Sequence, residues 1–106
     1  MATSKEYLTY ILEGLSEAEG ITYRPMMGEY VLYSRGKVIG GIYDDRFLVK
    51  VTPSVAALLP AAARVIPYDG AKEMLLIEET EDRVFLRELI DALYADLPAP
   101  KKRSGK

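Results

Sequence analysis

Apolar residues recur with two different periods along this 106-residue chain. Tyr7, Leu8, Ile11, Leu12 and Leu15 follow one helical face until Gly20 stops the run. In front of them, Thr3-Ser4-Lys5-Glu6 fits a capping box, with Thr3 as the cap and Glu6 at the third helical position. The spacing predicts a helix over about 4–18. Gly14 inside it costs about 1 kcal/mol against Ala.

Beyond Gly20 the period shortens. Tyr23, Tyr30–Tyr33, Val38-Ile39, Ile42-Tyr43 and Phe47–Val51 form runs of strand-favouring residues. Met27-Gly28, Ser34-Arg35-Gly36 and Asp44-Asp45-Arg46 stand between the runs as turn signals. The pattern predicts four strands over about 22–27, 29–35, 37–43 and 46–51. Links this short permit antiparallel hairpins and forbid parallel crossovers. Gly40-Gly41, inside the third strand, marks a bulge, a bend or a close helix crossing. Alternation along the second strand puts Tyr30 and Leu32 on one face and Val31 and Tyr33 on the other. Both faces of the sheet therefore carry apolar or aromatic side chains.

Thr52-Pro53 then opens a short helix, Thr52 as cap and Pro53 at the first helical position, and Pro60 ends it. Residues 74–78, Met-Leu-Leu-Ile-Glu, fit a fifth strand. Thr80 is the expected cap of a last helix, with Glu81 and Asp82 in its first turn and Phe85, Leu86, Leu89, Ile90, Leu93, Tyr94 and Leu97 along one face. Pro98 and Pro100 terminate it. The order is α-β-β-β-β-α-β-α, an α+β two-layer sandwich with a five-stranded antiparallel sheet. Residues 1–98 form the domain and 99–106 a disordered basic tail.

Composition narrows the chemistry. The chain has neither cysteine nor histidine, so a disulfide framework, a thiolate metal site, a cysteine nucleophile and the commonest general base are all excluded. No apolar run approaches the roughly 20 residues of a membrane span, and the N-terminus has no secretory pattern; a cytoplasmic protein is expected. Residues 1–100 carry ten basic and sixteen acidic side chains, a net −6, while the last six residues carry +4. A body of that sign repels phosphate, so direct nucleic-acid binding by the folded part is not expected. The tail is either a solubilising terminus or a weak electrostatic hook for an acidic partner.

The candidate sites have bland readings beside sharp ones. Gly36-Lys37 resembles a piece of a phosphate loop but joins two strands, so it reads as a turn. Asp44-Asp45-Arg46 carries the residue types for acid–base or Mg²⁺ chemistry, yet Asp is a turn residue in its own right, and no third ligand stands at a motif spacing. Eight tyrosines without tryptophan suggest stacking platforms for single-stranded nucleic acid, but the acidic helices oppose that use. What remains is exposed aromatic surface on the sheet face away from the helices, suited to a partner or a ligand groove. Burying it by self-association predicts a homodimer, with Tyr33 or Tyr43 as anchors.

Three stretches carry a family resemblance: Tyr23–Tyr33, with Arg-Pro-Met-Met-Gly at its start; Asp44–Lys50, with Asp-Asp-Arg before a Lys-ended strand; and Pro67–Glu78, with Pro-Tyr-Asp-Gly-Ala-Lys. They resemble, in order, the landmarks of the N-terminal domain of the TfoX/Sxy family, bacterial regulators of DNA-uptake competence, in a stand-alone form lacking the C-terminal helical domain. The resemblance implies a two-layer domain with an antiparallel sheet and no established enzymatic activity. It also implies a role in transcription regulation through protein contacts, with the transcription machinery as one candidate partner; no cofactor and no metal are expected. Arg24, Tyr33, Tyr43, Asp45, Arg46, Tyr68 and Lys72 are the candidate binding residues. The competing expectation is a small-ligand- or metal-assisted enzyme using Asp45 with Arg46 or Lys72.

Overall fold

The computed structural model describes residues 3–98; the basic tail expected over 99–106 lies outside the described residues. The strand-like segments pair into one antiparallel sheet of β1 (Ile21–Met26), β2 (Glu29–Ser34), β3 (Lys37–Ile42), β4 (Phe47–Lys50), β5 (Arg64–Val65) and β6 (Met74–Leu76). Their spatial order is β1-β2-β3-β4-β6-β5. Helices α1 (Lys5–Gly14), α2 (Pro53–Leu58) and α3 (Arg83–Asp96) supply the second layer.

Each of the first three hairpins closes on a two-residue turn with positive φ at both positions: Met27 and Gly28 (52° and 84°), Arg35 and Gly36 (51° and 86°), Asp44 and Asp45 (both 55°). This is the type I′ geometry, whose twist matches that of the flanking strands. The glycines and aspartates explain themselves there. Met27 and Arg35 do not: each holds a left-handed backbone conformation that L side chains disfavour.

Register sorts the side chains into two faces, because directly paired residues point the same way. Tyr23, Leu32, Gly40, Val49 and Leu75 form one row across five strands; Arg24, Val31, Gly41, Leu48 and Leu76 form the next, facing the opposite side. The first row meets the helices. There Leu8, Ile11 and Leu15, Val55 of α2, and Leu86, Leu89, Ile90 and Leu93 of α3 pack against Leu32, Ile39, Ile42, Phe47, Val49, Leu75 and Ile77. Each fully buried aliphatic or aromatic side chain of this set contributes roughly 1.5–3 kcal/mol.

The double glycine has a specific use. The register slips by one residue between Leu32 and Tyr33, leaving Ile39 as the extra residue of a β-bulge just before Gly40. A Cβ on Gly40 would collide with the Leu48 carbonyl oxygen, and one on Gly41 would lie 2.6 Å from the Tyr30 carbonyl oxygen and 2.7 Å from the Tyr43 ring. The closest approach at both positions comes from strand backbone and, at Gly41, an aromatic ring.

Four local expectations are corrected. Ser4, not Thr3, caps α1, its hydroxyl accepting from the Tyr7 N–H at 3.1 Å. Thr3 is buried and tied to the sheet instead, donating to the Glu29 carboxylate at 2.6 Å. The α1 helix ends at Gly14, and 15–18 continue as tight turns, with Ser16 N–H donating to Glu13 and Ala18 N–H to Leu15. Gly14 is there for contact, since a Cβ would stand 3.0 Å from the Thr80 carbonyl oxygen. Asp82 caps α3, accepting from Phe85 N–H at 3.0 Å, while the Thr80 hydroxyl pairs with that of Tyr10 at 2.8 Å. Finally, the sheet has six strands, because Arg64–Val65 pairs with β6. Two residues in an alanine-rich run carry no alternation to read. Among the described residues no helix is long and apolar enough to cross a membrane.

Candidate functional site

The second row of the sheet faces away from the helices, yet part of it is covered. Leu48 lies on this side, outside the helix-side cluster, and is fully buried. The chain after β5 stands against the same face. Its Tyr68–Ala71 turn closes with Ala71 N–H donating to the Tyr68 carbonyl at 3.0 Å, with Gly70 at φ 86° in the position that requires a positive value. Sheet and turn together enclose a groove of about 490 Å³. Met26, Val31, Val38 and Met74 make its apolar sheet side, Pro67, Tyr68 and Ala71 its wall, and Lys50 and Lys72 its cationic positions. A volume of this size is in the range of small-molecule sites, which run from roughly 300 to 1,000 Å³.

Tyr43 closes one end. Its ring lies against Gly41, its residue is only 6% exposed, and its centroid is 6.0 Å from that of Tyr68, which is 54% exposed. Burial raises the Tyr43 phenol above its ordinary pKa, helped by neighbouring Tyr68, Glu29 and Tyr33, so it stays a neutral hydroxyl at physiological pH. The acidic residue in the groove, Glu73, pairs with Arg64 at 3.6 Å. Among the described residues neither Lys50 nor Lys72 enters an ion pair. The groove is therefore cationic within a chain whose first hundred residues carry net negative charge.

The expected site residues divide into two groups. Tyr43, Tyr68 and Lys72 come together at the groove. Arg24 and Tyr33 share its face, opposite Val31 and Val38 in the register, with Arg24 exposed on the edge strand. Asp45 and Arg46 do not join them. The Asp45 carboxylate accepts from the Ser4 N–H at 2.9 Å, its own N–H donates to the Thr3 hydroxyl at 3.2 Å, and Arg46 Nε donates to the Tyr43 carbonyl at 3.2 Å. The Asp44 N–H donates to the Glu29 carboxylate at 3.0 Å. This network fastens the start of α1 to two hairpin turns, a structural use for the Asp45 carboxylate and for the Asp44 backbone N–H. Among the described residues no group of three or more acidic side chains is arranged to hold a metal ion.

Sequence reasoning passed over Val38, Pro67, Ala71 and Met74 as site residues, and placed Lys50 as the end of a family-like strand without counting it among the binding candidates. The outward alternation of Lys50 against Phe47 and Val49 was the available signal. Nothing in 66–73 says which face of the sheet that segment covers.

Comparison with known proteins agrees with these landmarks. Residues 13–93 match the TfoX N-terminal domain. An uncharacterized 12.7 kDa protein in the trpE 5′ region of Spirochaeta aurantia is 31% identical over 107 residues, covering 100% of this chain and 93% of the relative. No solved structure matches. The chain belongs to the TfoX N-terminal domain family.

Proposed function

We propose that this chain is a non-catalytic regulatory module, acting in transcription regulation through protein contacts made by the open face of its sheet, as its likeness to the N-terminal domain of competence regulators suggests. One observation carries the reading. All three helices pack on one face, while the other keeps Arg24, Val31, Tyr33, Val38, Tyr68 and Met74 around a groove that the protomer itself does not fill. Mixed aromatic, aliphatic and arginine surface of this kind is what protein interfaces draw their binding energy from. The enzyme reading has less support, because the Asp45 carboxylate serves the α1 cap and Arg46 serves the Tyr43 carbonyl, while Lys72 lines a groove that neither reaches.

A second copy of the chain is one occupant this face can take. Tyr68, 54% exposed on the groove wall, and Tyr33, half-buried on the same face, favour it as anchors over Tyr43, which is already buried within the protomer. Light scattering across a dilution series tests the homodimer, and a mass of 11.8 kDa at every concentration refutes it.

The test of the module is capture of the purified transcription machinery by the immobilised chain. Wild type and a helix-face variant, Arg87→Glu, should retain the same protein; Val38→Glu, on the open face, should lose it. Equal capture by all three removes the assignment to this face.

A further inference from the structure

The groove has a chemistry of its own, independent of any protein that covers the face. Its sheet side is aliphatic and thioether, from Met26, Val31, Val38 and Met74. Lys50 on β4 and Lys72 after the Gly70 turn both line it, reaching it from separate elements. Its carboxylate, Glu73, is engaged by Arg64 at 3.6 Å. Two ammonium groups without an ion-pair partner among the described residues, over an apolar bed, suit an anionic head on an apolar body. Tyr43 and Tyr68, rings 6.0 Å apart, line the same groove and carry hydroxyls of the kind that donate to such a head.

We propose that this groove is a binding site for a small amphipathic anion, a carboxylate or phosphate on a short apolar chain or ring, with Lys50 and Lys72 holding the anionic group and Val31, Val38 and Met74 receiving the apolar part. A neutral molecule of the same shape gains only the apolar half of this recognition. A small polar anion gains only the other half, screened by solvent because both lysines are exposed. The two lysines therefore set selectivity for charge and the sheet sets selectivity for apolar length.

The site goes beyond the protein-contact reading, and the chain alone tests it. The probe is 8-anilinonaphthalene-1-sulfonate, an aromatic anion whose fluorescence rises in apolar surroundings, bound to the full chain and then displaced. Octanoate and octyl phosphate should displace it from one site per chain, with their ratio distinguishing the two head groups. Octanol should need roughly tenfold more, the loss expected when a charge-assisted contact is removed. Lys50→Gln with Lys72→Gln should weaken octanoate about tenfold while leaving the thermal midpoint unchanged, since both side chains are exposed. Val38→Glu should abolish binding of all three. Equal displacement by octanol and octanoate, or octanoate affinity unchanged in the double lysine variant, overturns the proposal. Neither outcome touches the protein-contact reading, which stands or falls on capture.

Discussion

Replacing Gly41 by Ala puts one methyl group under the Tyr43 ring. Gly41 is not at positive φ, so its backbone conformation tolerates a side chain and the effect is one of space alone. The added Cβ would lie 2.6 Å from the Tyr30 carbonyl oxygen, 2.7 Å from Tyr43 Cε2 and 2.9 Å from its Cζ. Ordinary contact begins near 3.5 Å for such atoms, so the ring and the β2 backbone must both retreat. Overpacking of this degree costs about 1–3 kcal/mol. Against it stands a gain of about 0.4–1 kcal/mol, because alanine restricts the unfolded chain more than glycine. Because the nearest neighbour is a backbone oxygen that cannot rotate away, the upper half of that cost applies, and the net expectation is a loss of about 1–2.5 kcal/mol. Urea unfolding with an m-value near 1.5 kcal/mol/M should show the midpoint falling by about 1 M with the slope unchanged. The variant should cost less in a Tyr43→Ala background, with a coupling of at least about 0.5 kcal/mol, since half the obstruction is then gone. A neutral or stabilising Gly41→Ala would mean that Tyr43 does not lie on the sheet, and the closed end of the groove would have to be withdrawn.

Three further outcomes follow from single contacts. Met27→Asn should raise the thermal midpoint by relieving part of the roughly 1–2 kcal/mol that a left-handed backbone costs an ordinary side chain, and an unchanged or lower midpoint would count against strain at this 97%-exposed residue. Asp45→Ala should destabilise by about 1.5–3.5 kcal/mol, through loss of the acceptor for the Ser4 N–H and because Ala bears the left-handed backbone at φ 55° less well than Asp, with Asp45→Asn nearer wild type and octanoate binding the same in both; lost binding with intact stability would restore a functional role. Asp96 accepts hydrogen bonds from the Ser54 backbone N–H at 2.7 Å and the Ser54 hydroxyl at 2.9 Å, which lower its pKa below the usual carboxylate value. Its contribution is thus present above the unfolded carboxylate pKa of about 3.9 and is lost as pH falls through the lower folded value. Asp96→Asn should therefore flatten the acid limb of a melting-temperature profile taken from pH 6 to 2.5, and superimposable limbs would refute the assignment.

Much of this fold was legible because each hairpin announces itself locally. Met27-Gly28, Arg35-Gly36 and Asp44-Asp45 are turns in the structure, and the strands between them begin and end within two residues of their expected bounds. The short helix after Thr52 was legible for the same reason, with cap and Pro adjacent in sequence. Caps set by tertiary contacts were not. Thr3 and Ser4 are equally good cap residues, and the choice falls to Glu29, 26 positions away, which takes the Thr3 hydroxyl. Thr80 yields to Asp82 because Tyr10 takes its hydroxyl. The open sheet face was foreseen from the alternation in β2, and Tyr43, Tyr68 and Lys72 do meet at it. A partner surface or ligand groove on that face was expected; its wall was not legible, because it depends on the path of 66–73, a segment without periodicity whose course is fixed by the pairing of Val65 with Met74.

Amide spectra of the ¹⁵N-labelled chain, titrated with the protein it captures, test the central claim most directly. The account predicts shifts confined to the open face and its wall: Thr22, Arg24, Val31, Tyr33, Val38, Lys50, Tyr68, Lys72 and Met74. Residues of the opposite layer, among them Tyr10, Glu13, Val84 and Arg87, should stay unmoved. Shifts centred on that helical layer, with Val31 and Val38 unchanged, would contradict it.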